Sequence, residues 1–218
     1  MCFSKRESIG SFAFGTAINV AVAAIVWQHP RYRATRLVRL ATVLMWQFAL
    51  LMQIPEAVQW HYADRGKTVP PAVNPAAYWL NLLQPAVAFV GIATAVWLSS
   101  PWLRAAPVAL LVTAACPVLF TVAAAVHFRA SMRTQPDLAP SPACTHLSLH
   151  WWQHNLRPFL GLYLAAVLSA ILLLPAPQRY IQTAVFLGTF ALANAVYSCG
   201  VGSVWCWSIA PASLSLLL

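Results

Sequence analysis

Residues 9–27 read IGSFAFGTAINVAVAAIVW, nineteen positions without one charged side chain. As an α-helix rising 1.5 Å per residue, such a stretch reaches about 28 Å, close to the ~30 Å hydrocarbon core of a bilayer. It is not a cleavable signal peptide: Gly10 and Gly15 lie inside it, no small-residue cleavage site follows, and Trp27 closes it. Six further apolar stretches repeat the pattern at about 37–60, 76–98, 103–127, 156–175, 180–197 and 203–218. The last two are short and separated by Gly200 and Gly202, the pattern of two spans in a locally thinned bilayer or of a re-entrant pair; two spans is the preferred reading. The expectation is an all-α integral membrane helical bundle of about seven transmembrane helices, forming one domain over 1–218. Trp27, Trp60, Trp79, Trp102, Trp151 and Trp152 fall near the span ends, as an interfacial aromatic belt requires.

Composition agrees. Of the 218 residues 61% are apolar and only 8% charged, against roughly 25% charged in soluble globular chains. So few charges cannot cover a soluble surface. The same apolar content, with only five Cys, excludes collagen-like, disordered and disulfide-scaffold classes. Thirteen Lys and Arg against four acids leave a net charge of +9, but no basic cluster is dense enough to form a nucleic-acid arm. The partner implied is the lipid bilayer. Orientation follows the first loop, where Arg31, Arg33, Arg36 and Arg39 stand without an acid. Placing them inside puts the N-terminus outside and, with seven spans, the C-terminus inside.

Parity then gathers the chemically capable residues on the N-terminal face, whichever way the bundle points. Glu56 is the one acid within a span, and an ionisable group there marks a site or a buried partner. Gln53 and Trp60 lie at i−3 and i+4 from it, predicting a polar stripe of Gln53, Glu56 and Trp60 that points into the bundle. Prolines within the apolar stretches, at Pro55, Pro85, Pro107, Pro117 and Pro211, each remove a backbone donor and free a carbonyl that must find another partner in lipid.

Segment 142–155 reads as an interfacial helix, with Ser141 placed to cap it and Pro142 at its first position. His146, His150 and His154 recur every fourth residue on it, a spacing from which two rings can hold a divalent metal such as zinc, although the His-Glu-x-x-His signature is absent. Cys2, Cys144, Cys199 and Cys206 lie near the same face, where four cysteines allow three pairings if that side is oxidising. Lys5 and Lys67 lie outside the spans, and no Walker, dinucleotide or Gly-x-Ser-x-Gly motif occurs. Small residues at Gly15-Thr16-Ala17, Gly91-Ile92-Ala93 and Ala123-Ala124-Ala125 predict close helix packing.

The opening Met1-Cys2-Phe3-Ser4 resembles the start of a family of small, uncharacterised polytopic membrane proteins found in bacteria, algae and large algal viruses. Gln53-Ile54-Pro55-Glu56-Ala57-Val58-Gln59-Trp60, a His before the fifth span (His150 or His154) and Ser203-Val204-Trp205-Cys206-Trp207 are similar to stretches of that family. Pro55 and Ala57, where glycine is expected, depart from it. The resemblance implies the polytopic architecture and a set of candidate binding positions, Cys2, Ser4, Gln53, Glu56, Trp60, Trp205 and Cys206, and brings no activity with it.

A polar N-terminal tail of about seven residues reaches no more than about 25 Å, so the Cys2–Ser4 segment is expected to pack near Glu56, Trp205 and Cys206. The functional expectation is binding or transport of an ion or small solute through a polar site on that face. Its alternatives are a membrane-embedded metal-dependent enzyme, with His ligands and Glu56 as base, and a structural membrane component without an internal site.

Overall fold

The computed structural model describes residues 4–99, 107–134, 156–196 and 208–218, and among these every regular element is a helix. The first is α1 (Lys5–Gln28), capped by Ser4, whose Oγ accepts the amide of Glu7 at 3.2 Å. Glu7 in the first turn complements the positive end of the helix dipole. Pro30 disfavours helical geometry at His29, so α1 ends there and a single 3-10 turn, Pro30–Tyr32, leads into α2 (Arg36–Leu50).

The expected span 37–60 is present but interrupted. α2 stops at Leu50 and α3 (Gln53–Ala63) begins after a two-residue break. Pro55 is the third residue of α3, where its ring excludes an i→i−4 bond to the Leu51 carbonyl. That carbonyl accepts the amide of Ile54 at 3.1 Å instead. The expected span 76–98 is broken in the same way. α4 (Val73–Leu82) and α5 (Gln84–Ser99) meet at a 43° bend, with Pro85 at the second position of α5 and its ring directed against the Asn81 carbonyl.

Pro107 opens α6 (Pro107–Thr134), a position at which no amide is needed, and Pro211 precedes a C-terminal 3-10 helix, Ala212–Leu217. Of the five prolines expected within spans, only Pro117 lies in a helix interior. The other four stand in a first turn or just before one, because a residue without an N–H fits there far better than in an interior. α7 (Leu156–Ile171) and α8 (Gln178–Val196) complete the described helices.

Among the described residues three helical segments are long and apolar enough to cross a membrane: Lys5–Gln28, Pro30–Ala63 and Val108–Val126. A fourth is added if the bent pair α4–α5 counts as one. Leu160–Ile171 is apolar but shorter than a crossing requires. The expected final span 203–218 is corrected over its described part: Ser208–Leu218 forms a turn and the 3-10 helix rather than a continuous α-helix. Pro211 interrupts the backbone ladder, and the segment folds back against α1, α2 and α8.

α5 lies at the centre, packed on α2, α6 and α7, while α1 covers α2 and α3. Trp46, Ile92, Phe120, Tyr163 and Ala166 form part of one continuous buried core. Around it the surface is apolar: Leu111, Val112, Leu119, Val122 and Val126 of α6 are 59–71% exposed. Large aliphatic side chains thus face outward along one side of α6 between Val108 and Val126.

Of the small-residue stretches, Gly15 is the clear close-packing site. A Cβ placed there would meet Leu50 Cδ1 at 2.5 Å and Ala210 Cβ at 3.2 Å. Ala124 is buried as expected, whereas Gly91 faces open space and its neighbours Ile92 and Ala93 make the contact.

Candidate functional site

The break between α2 and α3 places Glu56 in the first turn of α3. There the positive end of the helix dipole favours a carboxylate. Gln53, Glu56 and Gln59 are all 0% exposed. Successive steps of three residues fan these side chains across about 120° of the helix, and all three are enclosed by protein. Trp60 lies on the same face as Glu56 and Gln53 and is half-buried, and Gln59 adds a buried polar side chain on the other flank of Glu56. Gln59 Nε2 donates to Asn74 Oδ1 of α4 at 3.1 Å, with both residues buried.

The second break is polar too. Asn81 and Gln84 flank the α4–α5 bend and are buried. Tyr163 of α7 donates its hydroxyl to Gln84 Oε1, and Tyr78 donates to the Ala124 carbonyl at 2.5 Å. Gln59 Oε1, Asn81 Oδ1 and Gln84 Nε2 have no hydrogen-bond partner among the described residues. Buried amide capacity of this kind costs stability unless something fills it.

α1 runs antiparallel to α3, and a 2.9 Å contact between Lys5 Nζ and His61 Nδ1 sets their register. That register brings the buried hydroxyls of Ser8 and Ser11 to the levels of Val58 and Pro55, on either side of the level of Glu56. Ser4, expected as a binding residue, is engaged as the helix cap. Its carbonyl also accepts the Ser8 amide at 3.1 Å.

Cys2, Trp205, Cys206 and the proposed metal ligands His146, His150 and His154 lie outside the described residues, as do Cys144, Cys199 and the interfacial helix 142–155. Among the described residues no group of three or more His, Cys, Asp or Glu is placed to hold a metal ion. The positions missed by the sequence reading are Gln59, Asn74, Asn81, Gln84, Ser8 and Ser11. Gln59 had a visible signal, three residues from Glu56. The amides on α4 and α5 had one only in their proximity to Pro85.

At the opposite end of α1 a second polar cluster ties the chain together. Buried Arg39 donates to the Leu216 carbonyl and, through Nε, to Thr35 Oγ1 at 3.0 Å. Arg31 Nη2 and the Tyr32 hydroxyl donate to the Leu217 carbonyl at 2.7 and 2.9 Å. The guanidinium of Arg39 stacks 4.6 Å from the centre of the Tyr32 ring. Here the arginines saturate the carbonyls of the terminal 3-10 helix, a structural use.

Comparison of the chain with protein-family models, curated proteins and solved structures gave no match.

Proposed function

We propose that the protein binds or transports an ion or small polar solute at the level of the two helix breaks, with Glu56 as its charged ligand. One observation carries this reading. The breaks lie at matching distances from the loop that joins α3 to α4, eleven residues along α3 and ten along α4, or about 15–16 Å of helix on each side. Each bears buried polar side chains, Gln53 and Glu56 at one and Asn81 and Gln84 at the other.

Two interrupted helices in contact are the usual setting of a membrane transport site. Half-helix N-termini favour anionic groups there, and freed carbonyls at half-helix C-termini favour cations. α3 and α5 contribute N-termini at this level, and α2 and α4 contribute C-termini. The seven-span arrangement with the N-terminus outside, and the kinship with the small polytopic family, belong to the same proposal. They rest on the apolar stretches, the arginines of the first loop and the quoted motifs.

The test is uptake of monovalent and divalent cations and small polar solutes into proteoliposomes. The expected result is a flux that Glu56→Gln abolishes while the melting temperature stays within a few degrees of the parent. Flux that persists in Glu56→Gln removes the carboxylate from the mechanism.

A further inference from the structure

A groove of about 440 Å³ runs between α1 and α3, within the ~300–1,000 Å³ typical of ligand sites. Its walls include Ile9, Phe12, Ile54, Ala57 and Val58, with Gln53 and Tyr62 also on the lining, and Lys5 and His61 stand at its basic end. Two cationic side chains converge on the ring of His61. Lys5 Nζ lies 2.9 Å from Nδ1, and Arg65 Nη1 contacts both ring nitrogens, Nε2 more closely than Nδ1. A neutral imidazole has one lone pair to offer, so it cannot satisfy both donors. Neither Lys5 nor Arg65 forms an ion pair with a carboxylate among the described residues. This end of α1 and α3 carries Lys5, Arg6, Arg65 and Lys67 against Glu7 and Asp64. Like charges held this close raise the local potential and call for an anion.

The position of the groove selects the kind of anion. Its apolar length follows two helices that the fold reads as membrane-crossing, and its basic end lies at their common terminus. Ile9 and Ile54, 50% and 46% exposed, open its walls outward.

From this geometry we infer that the α1/α3 groove is a binding site for an anionic phospholipid. Its phosphate is held by Lys5 and Arg65 beside His61, and one acyl chain lies along Phe12, Ala57 and Val58. A free inorganic anion would use the basic end and leave the apolar walls unoccupied. A zwitterionic lipid would occupy the walls and bring no net charge to the cations. The groove shares Gln53 with the Glu56 site, but the inference requires no solute and no flux.

The experiment is native mass spectrometry of the full chain in detergent, titrated with phosphatidylglycerol or with phosphatidylcholine of the same acyl composition. Expected is a one-to-one phosphatidylglycerol adduct favoured about tenfold or more over phosphatidylcholine, the scale of one or two basic groups at a lipid surface. The Lys5→Glu/Arg65→Glu pair should abolish that preference. Lys5→Arg should keep it, and so should Arg33→Gln at the far end of α1. A loss of preference that also appears in Lys5→Arg or Arg33→Gln overturns the site. So does equal retention of both lipids by the parent, or an undiminished preference in the double variant. Displacement of the lipid by millimolar phosphate marks a soluble-anion site and overturns the lipid assignment.

Discussion

Gln59 and Asn74 join α3 to α4 through a buried amide pair, Nε2 to Oδ1 at 3.1 Å, near the loop end of both helices. Below this clasp each helix ends at a break lined with buried polar groups, so the pair holds two interrupted segments side by side. A water-exposed pair would contribute little. Enclosed in an apolar bundle, each amide depends on the other for its hydrogen bond. A double-mutant cycle with Gln59→Leu and Asn74→Leu should yield a coupling of about 0.5–1.5 kcal/mol, the range for a net buried hydrogen bond. Strictly additive melting shifts would remove the clasp.

Glu56 and Asp64 offer a direct contrast, since the first is fully buried and the second is exposed in the loop after α3. Glu56→Ala should remove a carboxyl from an enclosed polar layer and lower stability by about 1–3 kcal/mol, or abolish solute binding. Asp64→Ala should change stability by no more than about 0.5 kcal/mol. Thermal melting in one detergent compares them, and equal tolerance of the two changes would end the special role of Glu56.

Gly15 faces Leu50 and Ala210 with no room for a side chain. Gly15→Val should therefore overpack the contact between α1, α2 and the C-terminal segment and cost about 1–3 kcal/mol. Gly91→Ala, where nothing lies within 4 Å of the new carbon, should be neutral or slightly stabilising through helix propensity. Reversal of this order in melting experiments would contradict the packing at Gly15.

Arg39 donates to the carbonyl of Leu216 from a buried position. Arg39→Ala should leave that carbonyl short of its donor, at a cost of about 1.5–3 kcal/mol for a charge-assisted bond. It should also raise protease sensitivity between Ser208 and Leu218. Limited proteolysis with mass mapping reads the second effect, and unchanged cleavage there would show that the terminal segment is held by other contacts.

Single-cysteine labelling tests the membrane arrangement. Arg33 follows the C-terminal end of α1, and Arg65 reaches His61 beside Lys5 at its N-terminal end; 24 residues of helix separate the two ends, or about 36 Å. In a background without native accessible cysteines, Arg33→Cys and Arg65→Cys should label from opposite sides of a sealed vesicle. Labelling of both from one side would exclude a crossing by α1.

The apolar stretches were legible in the sequence because backbone hydrogen bonds must close within the segment when lipid offers none. Length and the absence of charge therefore sufficed to identify helices such as Lys5–Gln28 and Val108–Val126. The burial of Glu56 was suggested for the same reason, since a carboxyl in such a run is costly to leave facing lipid. Which face of each helix turns inward was not legible: in a bilayer the inside and the outside of a bundle are both apolar, so periodicity loses the contrast it has in water. Tertiary packing buried Gln59 beside Glu56, set Asn74 opposite it, and buried Asn81 and Gln84 at the second break. It also decided that Ser208–Leu218 folds back under Arg31 and Arg39 instead of continuing as a helix. Those carbonyls find their donors on α2 and on the loop before it, residues more than 170 positions away in the chain, and no local pattern encodes a partner at that distance.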